Sequence, residues 1–279
     1  MKYSPKELKN LNKKHDFSFK KKFGQNFIID ENVINKIVNN SNIDKSSLVI
    51  EVGPGSGALT YKLAENAKNV LCYEIDSDLK ELLDSNLQSF SNVDIIYNDF
   101  LKADVVNDIS NYSFDKLFLV ANLPYYITTP IIVKIIEDKI NVDNMLVMVQ
   151  KEVGDRFKAT PGNKNYGSLS VFLNYYFDVK KVMDVSRTVF LPAPNVDSIV
   201  ISLTPKSKNY DLKNEELFFK LVRDSFKQKR KTIKNNLKDY DLKSIEKVLK
   251  KHDYDLSVRA EKLGIEIFVE MANELYKKW

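Results

Sequence analysis

A single cysteine in 279 residues leaves Cys72 without a partner for an intrachain disulfide, which suits a reducing compartment. Cys72 sits in the apolar run Val70-Leu71-Cys72-Tyr73 and reads as a buried strand residue rather than a nucleophile. Histidine is almost as scarce. His15 and His252 lie far apart in the chain, so neither a histidine metal site nor a Ser-His-Asp or Cys-His set is expected, and both read as exposed. No apolar stretch approaches membrane-spanning length, and Met1-Lys2-Tyr3-Ser4-Pro5-Lys6-Glu7 has none of the apolar character of a secretion signal. A cytoplasmic protein without membrane or metal is the expectation.

What the chain does have is uneven charge. Its net +5 divides into about +6 over residues 1–24, −7 over 25–205 and +6 over 206–279. A mildly acidic body with two basic ends suits a polyanionic partner, because phosphate contacts need clustered cations. Lys20, Lys21 and Lys22 in one end, and Lys229, Arg230 and Lys231 in the other, are the candidate phosphate contacts.

Apolar runs and helical spacings alternate from Leu48 to Val149. Strands are expected over Leu48–Val52, Val70–Ile75, Val93–Tyr97, Lys116–Ala121 and Met145–Val149, with helices over Leu59–Ala67, Leu79–Leu87 and Ile131–Ile136. This alternation predicts an α/β fold with a parallel sheet covered on both faces. Leu169–Phe177 reads as a helix, and Val179–Val185 and Val196–Leu203 as paired strands. Beyond Thr204-Pro205-Lys206-Ser207-Lys208-Asn209, a linker candidate, apolar residues recur at helical spacing. The expected organisation is a basic arm over 1–22, an α/β domain over 23–205 and a small all-helical, RNA-binding domain over 206–279.

Two short segments carry the chemistry. The first, Glu51-Val52-Gly53-Pro54-Gly55-Ser56-Gly57, is a glycine turn leaving a buried strand, where Gly53, Gly55 and Gly57 let backbone approach a ligand at a helix N-terminus. It lacks the Gly-x-Gly-x-x-Gly spacing of dinucleotide sites, which argues against an NAD-linked dehydrogenase. Glu74, at the end of the next strand, is placed to accept from a ribose diol, and Asp99 after the third to accept from an adenine amine beside the apolar Phe100. Asn26, after Gly24, could cap the methionine portion of a sulfonium donor.

The second segment, Asn122-Leu123-Pro124-Tyr125, offers an amide oxygen, backbone carbonyls stiffened by proline and an aromatic face. Acceptors for both N–H bonds of a nucleobase amine favour a pyramidal nitrogen and restore nucleophilic lone-pair density. Little reorganisation then accompanies reaction. Tyr125 is the expected stacking platform, with Phe190 as a second slab. The two segments together read as methyl transfer to an amine of an unpaired or extruded base.

In sequence order, the chain also carries Phe23-Gly24-Gln25-Asn26-Phe27, Gln150-Lys151-Glu152-Val153 and Tyr166-Gly167-Ser168-Leu169-Ser170. Phe190-Leu191-Pro192-Ala193-Pro194-Asn195-Val196-Asp197-Ser198, Phe226-Lys227-Gln228-Lys229-Arg230-Lys231-Thr232 and Asn235-Asn236-Leu237 follow. With these motifs the chain resembles the ribosomal RNA adenine N6-dimethyltransferases from about Phe23 onward. The resemblance implies a Rossmann-like methyltransferase sheet and S-adenosylmethionine held by Asn26, Ile28, Gly53, Glu74, Asp99 and Asn122. It also implies N6,N6-dimethylation of two adjacent adenines in the 3′-terminal hairpin loop of small-subunit (16S) rRNA, within an immature 30S particle; a monomer is the separate expectation. Ile28 stands where the family often has leucine, and Tyr126-Ile127-Thr128-Thr129 where Asn-Ile-Ser-Thr is common; both leave the reaction in place. The alternatives are the macrolide-resistance type of large-subunit (23S) adenine methylase, and a ribosome-assembly or transcription factor that keeps the fold without catalysis.

If the basic ends meet phosphates, RNA affinity falls with salt at a log–log slope of roughly −0.7 to −0.9 per neutralised phosphate. Filter binding across a salt series measures it. A flat response would reduce these lysines to solvated surface.

Overall fold

The structure, a computed structural model, describes residues 25–207 and 210–277. The basic arm over 1–22, with Lys20, Lys21 and Lys22, lies outside the described residues.

Nine strands are present among the described residues: β1 (Phe27–Ile28), β2 (Ser47–Val52), β3 (Asn69–Tyr73), β4 (Val93–Ile96), β5 (Lys116–Asn122), β6 (Asn144–Gln150), β7 (Phe177–Val185), β8 (Phe190–Leu191) and β9 (Ser198–Pro205). Seven form one sheet in the order β4-β3-β2-β5-β6-β9-β7. The pairs from β4 to β6 are parallel, as continuous apolar runs such as Leu48-Val49-Ile50 require of strands buried on both faces. The parallel run ends at β9, which lies antiparallel to β6 from Met145↔Leu203 to Gln150↔Ser198.

Helices fill the connections. Ala58–Asn66 follows the glycine turn and buries Leu59 and Leu63, and Thr128–Glu137 follows the Asn-Leu-Pro-Tyr corner and buries Ile131, Ile132 and Ile135. Glu31–Asn39 lies in a stretch with no helix expected and is capped by the Asp30 carboxylate, which accepts from Asn32 N. None of the described helices is long and apolar enough to cross a membrane.

Between β7 and β9 the chain leaves the sheet. There β8 pairs antiparallel with β1, matching Ile28 to Phe190 and Phe27 to Leu191. Phe190 is 3% exposed and belongs to the apolar cluster of Ile28, Val38, Val49 and Leu63. This corrects the expectation of a second stacking slab, because the ring is committed to the core.

The chain divides into two compact units, one through Gly154 and again over Lys180–Thr204, the other Asp155–Val179 and from Pro205 onward. A single boundary at 205/206 is therefore corrected. The physical reason is aromatic packing: Tyr166 and Tyr175 join Phe218, Leu221 and Phe268 in the core of the second unit. Tyr166 also donates to the Leu263 carbonyl at 3.0 Å, and the Tyr175 and Phe218 rings lie 5.3 Å apart. His252 is not an exposed bystander either, since its Nε2 lies 3.0 Å from Glu270 Oε1.

Gly154, in the helix Lys151–Phe157, faces β9. A Cβ there would overlap Ile199 Cγ2 and come within 3.3 Å of Ile201 Cγ1 and Val149 Cγ2. Gly154→Ala is expected to destabilise by about 1–3 kcal/mol through overpacking, despite the roughly 1 kcal/mol that alanine gains in a helix. Urea unfolding measures the difference; a midpoint at or above that of the native chain would show β9 yielding freely.

Candidate active site

The carboxyl ends of β2, β3, β4 and β5 open on one cavity, lined by the segments 25–28, 51–56, 73–75, 98–101 and 122–127. Asn26, Ile28, Gly53, Gly55, Glu74, Asp99, Asn122, Leu123, Pro124 and Tyr125 all line it, so residues up to 99 positions apart in the chain meet. Gly57 does not. At φ +81° it turns the chain into the helix, and a Cβ there would press on Leu83 and Leu87 at 3.3–3.4 Å. Its role is packing, which corrects its assignment to the ligand.

Gly55 shows why this loop needs glycine. It holds φ +59°, and a Cβ would stand 2.9 Å from two atoms of the Phe27 ring. Phe27 packs with Leu79, Leu82 and Leu83, so the ring cannot readily retreat. The segment 25–28 is tied down at its other side as well, where Gln25 Nε2 donates to Asp76 Oδ2 at 2.8 Å. It forms a strap beside the glycine turn.

Glu74 is 4% exposed. Its Oε1 accepts from Asp76 N at 2.8 Å and its Oε2 from Gly55 N at 3.3 Å. A carboxylate offers about four lone-pair sites, so two more donors can be accommodated, as a ribose diol requires. Burial pushes its carboxyl up to about 7, against the pull of those backbone N–H groups. Asp99 Oδ1 accepts from Leu101 N at 3.0 Å, and Phe100 beside it is buried with its ring 5.1 Å from that of Tyr73.

Asn122 ends β5. Its Nδ2 donates to the Asn26 carbonyl at 2.9 Å, which fixes the amide orientation, because a carbonyl can only accept. Oδ1 is therefore the group turned away from Asn26. Pro124 O accepts from Ile127 N at 3.1 Å, closing the corner, and Leu123 N donates to Met148 O on β6 at 3.2 Å. The Tyr125 hydroxyl lies 2.8 Å from Ser198 Oγ, on the first residue of β9, so the ring cannot turn freely.

Several groups in or beside the cavity have no role assigned from the sequence. Tyr126 lines it with 57% exposure, and Ser198 fixes Tyr125. Glu51 is 1% exposed, and burial pushes its carboxyl up to about 8. Its signal was legible: a lone acid inside Leu48-Val49-Ile50-Glu51-Val52 demands an explanation. In the second unit, Lys229, Arg230 and Lys231 are exposed on a turn after the helix Glu215–Ser225. Asn236 Nδ2 clamps that turn, donating to Ser225 O at 2.7 Å and Gln228 O at 3.2 Å. No group of acids, cysteines and histidines among the described residues could hold a metal.

A parallel sheet with a glycine turn at its switch point, an acid at the end of the next strand and an Asn-Leu-Pro-Tyr corner across the crevice defines a Rossmann-like methyltransferase. Comparison with known proteins narrows the class. Residues 16–277 match the model of a family described as ribosomal RNA adenine dimethylase. The chain is 46% identical over 98% of its length to the ribosomal RNA small subunit methyltransferase A of Bacillus cereus (strain B4264), covering 96% of that protein, and equally to that of Bacillus mycoides. Among solved structures, a dimethyladenosine transferase from Plasmodium falciparum aligns at TM-score 0.75 with 28% identity, over 90% of this chain and 98% of that one. The 23S rRNA methyltransferase ErmE aligns at TM-score 0.70 with 25% identity, over 90% and 100%. The chain belongs to the ribosomal RNA adenine dimethylase family.

Glu51 gives a pH test of the site. Its carboxyl is raised on folding, so the folded chain keeps a proton that the unfolded chain loses above about 4.5. That contribution is full below 4.5 and disappears as pH rises towards 8. Between pH 5 and 8 the native chain is expected to lose about 2–4 kcal/mol more stability than Glu51→Gln. Urea unfolding at several pH values measures it, and parallel curves would contradict the assignment.

Proposed function

We propose that this protein transfers methyl groups from S-adenosylmethionine to adenine N6 in small-subunit rRNA, completing two methyls on each of two adjacent adenines of the 3′-terminal hairpin loop. The observation that carries the reading is the Asn122 amide pinned by the Asn26 carbonyl beside the glycine turn. The 46% identity to small-subunit methyltransferases supports the small rather than the large subunit as target. The immature 30S particle as substrate, action as a monomer in the cytoplasm, and independence from metal complete the proposal.

The residues present suit the donor. Glu74 would take the ribose diol on its remaining lone pairs, Asp99 the adenine amine with Phe100 as wall, and Gly53 and Gly55 would let the backbone approach. Asn26 and Ile28 on the strap would bound the methionine end. The donor supplies an activated methyl on sulfur. Asn122 Oδ1 and the Leu123 carbonyl would accept from the two N–H bonds of the target amine, with Pro124 holding the corner and Tyr125 stacking on the base. The amine proton leaves after transfer, so no buried general base is needed. Lys229, Arg230 and Lys231 would meet phosphates from a turn that Asn236 holds.

Asn122→Ala is expected to lower methylation at least about a hundredfold, the scale on which lost transition-state acceptors act, with RNA affinity nearly unchanged. Tritium transfer from labelled donor and filter binding read the two separately; native turnover in the variant would remove Asn122 from the chemistry. The target is tested by primer extension on rRNA from cells lacking the protein. The stop caused by dimethyladenine should vanish near the 3′ end of small-subunit RNA, whereas loss of a stop in large-subunit RNA would favour the other reading.

A further inference from the structure

Two buried carboxyls, Glu51 and Glu74, line one cavity at 1% and 4% exposure. No ion pair joins either to a cation among the described residues. Glu74 has backbone donors, but Glu51 has little. Cys72 Sγ on β3 stands 3.7 Å from its Oε2, and the buried Thr60 hydroxyl from the following helix, without a hydrogen-bond partner elsewhere, pulls its carboxyl down against the larger effect of burial. Glu74 is the other charged group that acts on Glu51, and it opposes ionisation. Glu74 in turn faces Asp76 and the phenols of Tyr97 and Tyr126. An acid buried without a counter-cation keeps its proton until a cation arrives.

The donor named under Proposed function carries a fixed positive charge on sulfur, which its thioether product lacks. On transfer the S–CH3 bond breaks with its electron pair left on sulfur, the N–CH3 bond forms, and one amine proton leaves. We propose that Glu51 is a proton-linked seat for that sulfonium charge. It is neutral in the donor-free protein and ionises into solvent as the donor enters. It takes a proton back from water once the neutral thioether stands in the cavity. The site then tells donor from product by charge, although both present the same adenosine to Glu74 and Asp99. The inference rests on the donor reading above and adds to it the group that senses the methyl.

Calorimetry on the full chain tests it, with S-adenosylmethionine and S-adenosylhomocysteine titrated at pH 7 in buffers of different ionisation enthalpy. Any proton that Glu74 releases to solvent on accepting the shared ribose is common to both ligands, so the difference isolates the sulfonium. The donor is expected to release at least about half a proton more than the product. Its affinity relative to the product is expected to rise about tenfold between pH 6 and 8. Glu51→Gln should abolish both differences. Equal proton counts in the native protein overturn the proposal, and so does a difference that survives in Glu51→Gln, which would move the seat elsewhere. Should the variant fail to fold, the native donor–product comparison decides alone. If neither ligand binds, the donor reading falls, and this inference with it; binding without differential proton release sinks only the inference.

Discussion

Parallel register across four strands is the constraint on which the rest depends. Val52 is level with Tyr73 across β2 and β3, Tyr73 with Ile96 across β3 and β4, and Ile50 with Leu119 across β2 and β5. Neighbouring strands lie roughly 4.8 Å apart, so positions 53, 74, 99 and 122 arrive in a row at one end of the sheet. After β2 the chain winds outward through β3 and β4 and then returns to β5 on the other side of β2. That reversal separates the loops after β2 and β5 and leaves a crevice between them, where ligands of open α/β sheets bind. A slip of one residue in β2 would turn Glu51 to the opposite face and bring Ile50 or Val52 to its place.

The same register explains why the site can hold groups that a core would reject. Glu51 and Cys72 are partners across β2 and β3, so the acid's lateral neighbour is a thiol rather than a cation. Apolar neighbours such as Val49, Leu63 and Val70 secure the sheet on either side of this polar spot. Local instability at the acids is thus carried by hydrophobic burial elsewhere, the usual condition for keeping unfavourable groups at a binding site. The strap of residues 25–28 adds a lateral restraint, since its Asn26 carbonyl and Phe27 ring each touch a different wall of the cavity.

Local sequence made much of this legible. Buried strands announce themselves as apolar runs, and each strand from Leu48 to Val149 lies within about two residues of its expected place. The glycine turn, Glu74, Asp99 and the Asn-Leu-Pro-Tyr corner were readable because each sits at a strand end, where side chains leave the sheet together. What failed depends on partners distant in sequence. A two-residue strand such as β1 has no periodicity, and its pairing with Phe190-Leu191 spans more than 160 positions. Tyr166 and Tyr175 lie in a stretch read only as a motif and a helix, and nothing local said that they join the core of the second unit. Gly57 resembled its loop neighbours in type, and only the nearness of Leu83 and Leu87 separates its task from theirs.

The residue type at position 122 follows from one hydrogen bond. The Asn26 carbonyl demands a donor, and the reaction proposed for this site demands an acceptor on the opposite side of the same planar group. Only an amide supplies both from a single carbon. A carboxylate of the same length would set a full negative charge against the Asn26 carbonyl, and an aliphatic residue would leave that carbonyl without its partner. A longer amide would reach past the end of β5, whose last residue pairs with Met148. Positioning is therefore built into side-chain chemistry and sheet geometry before any substrate arrives, and a nitrogen held between two fixed acceptors needs little further help to meet an activated methyl.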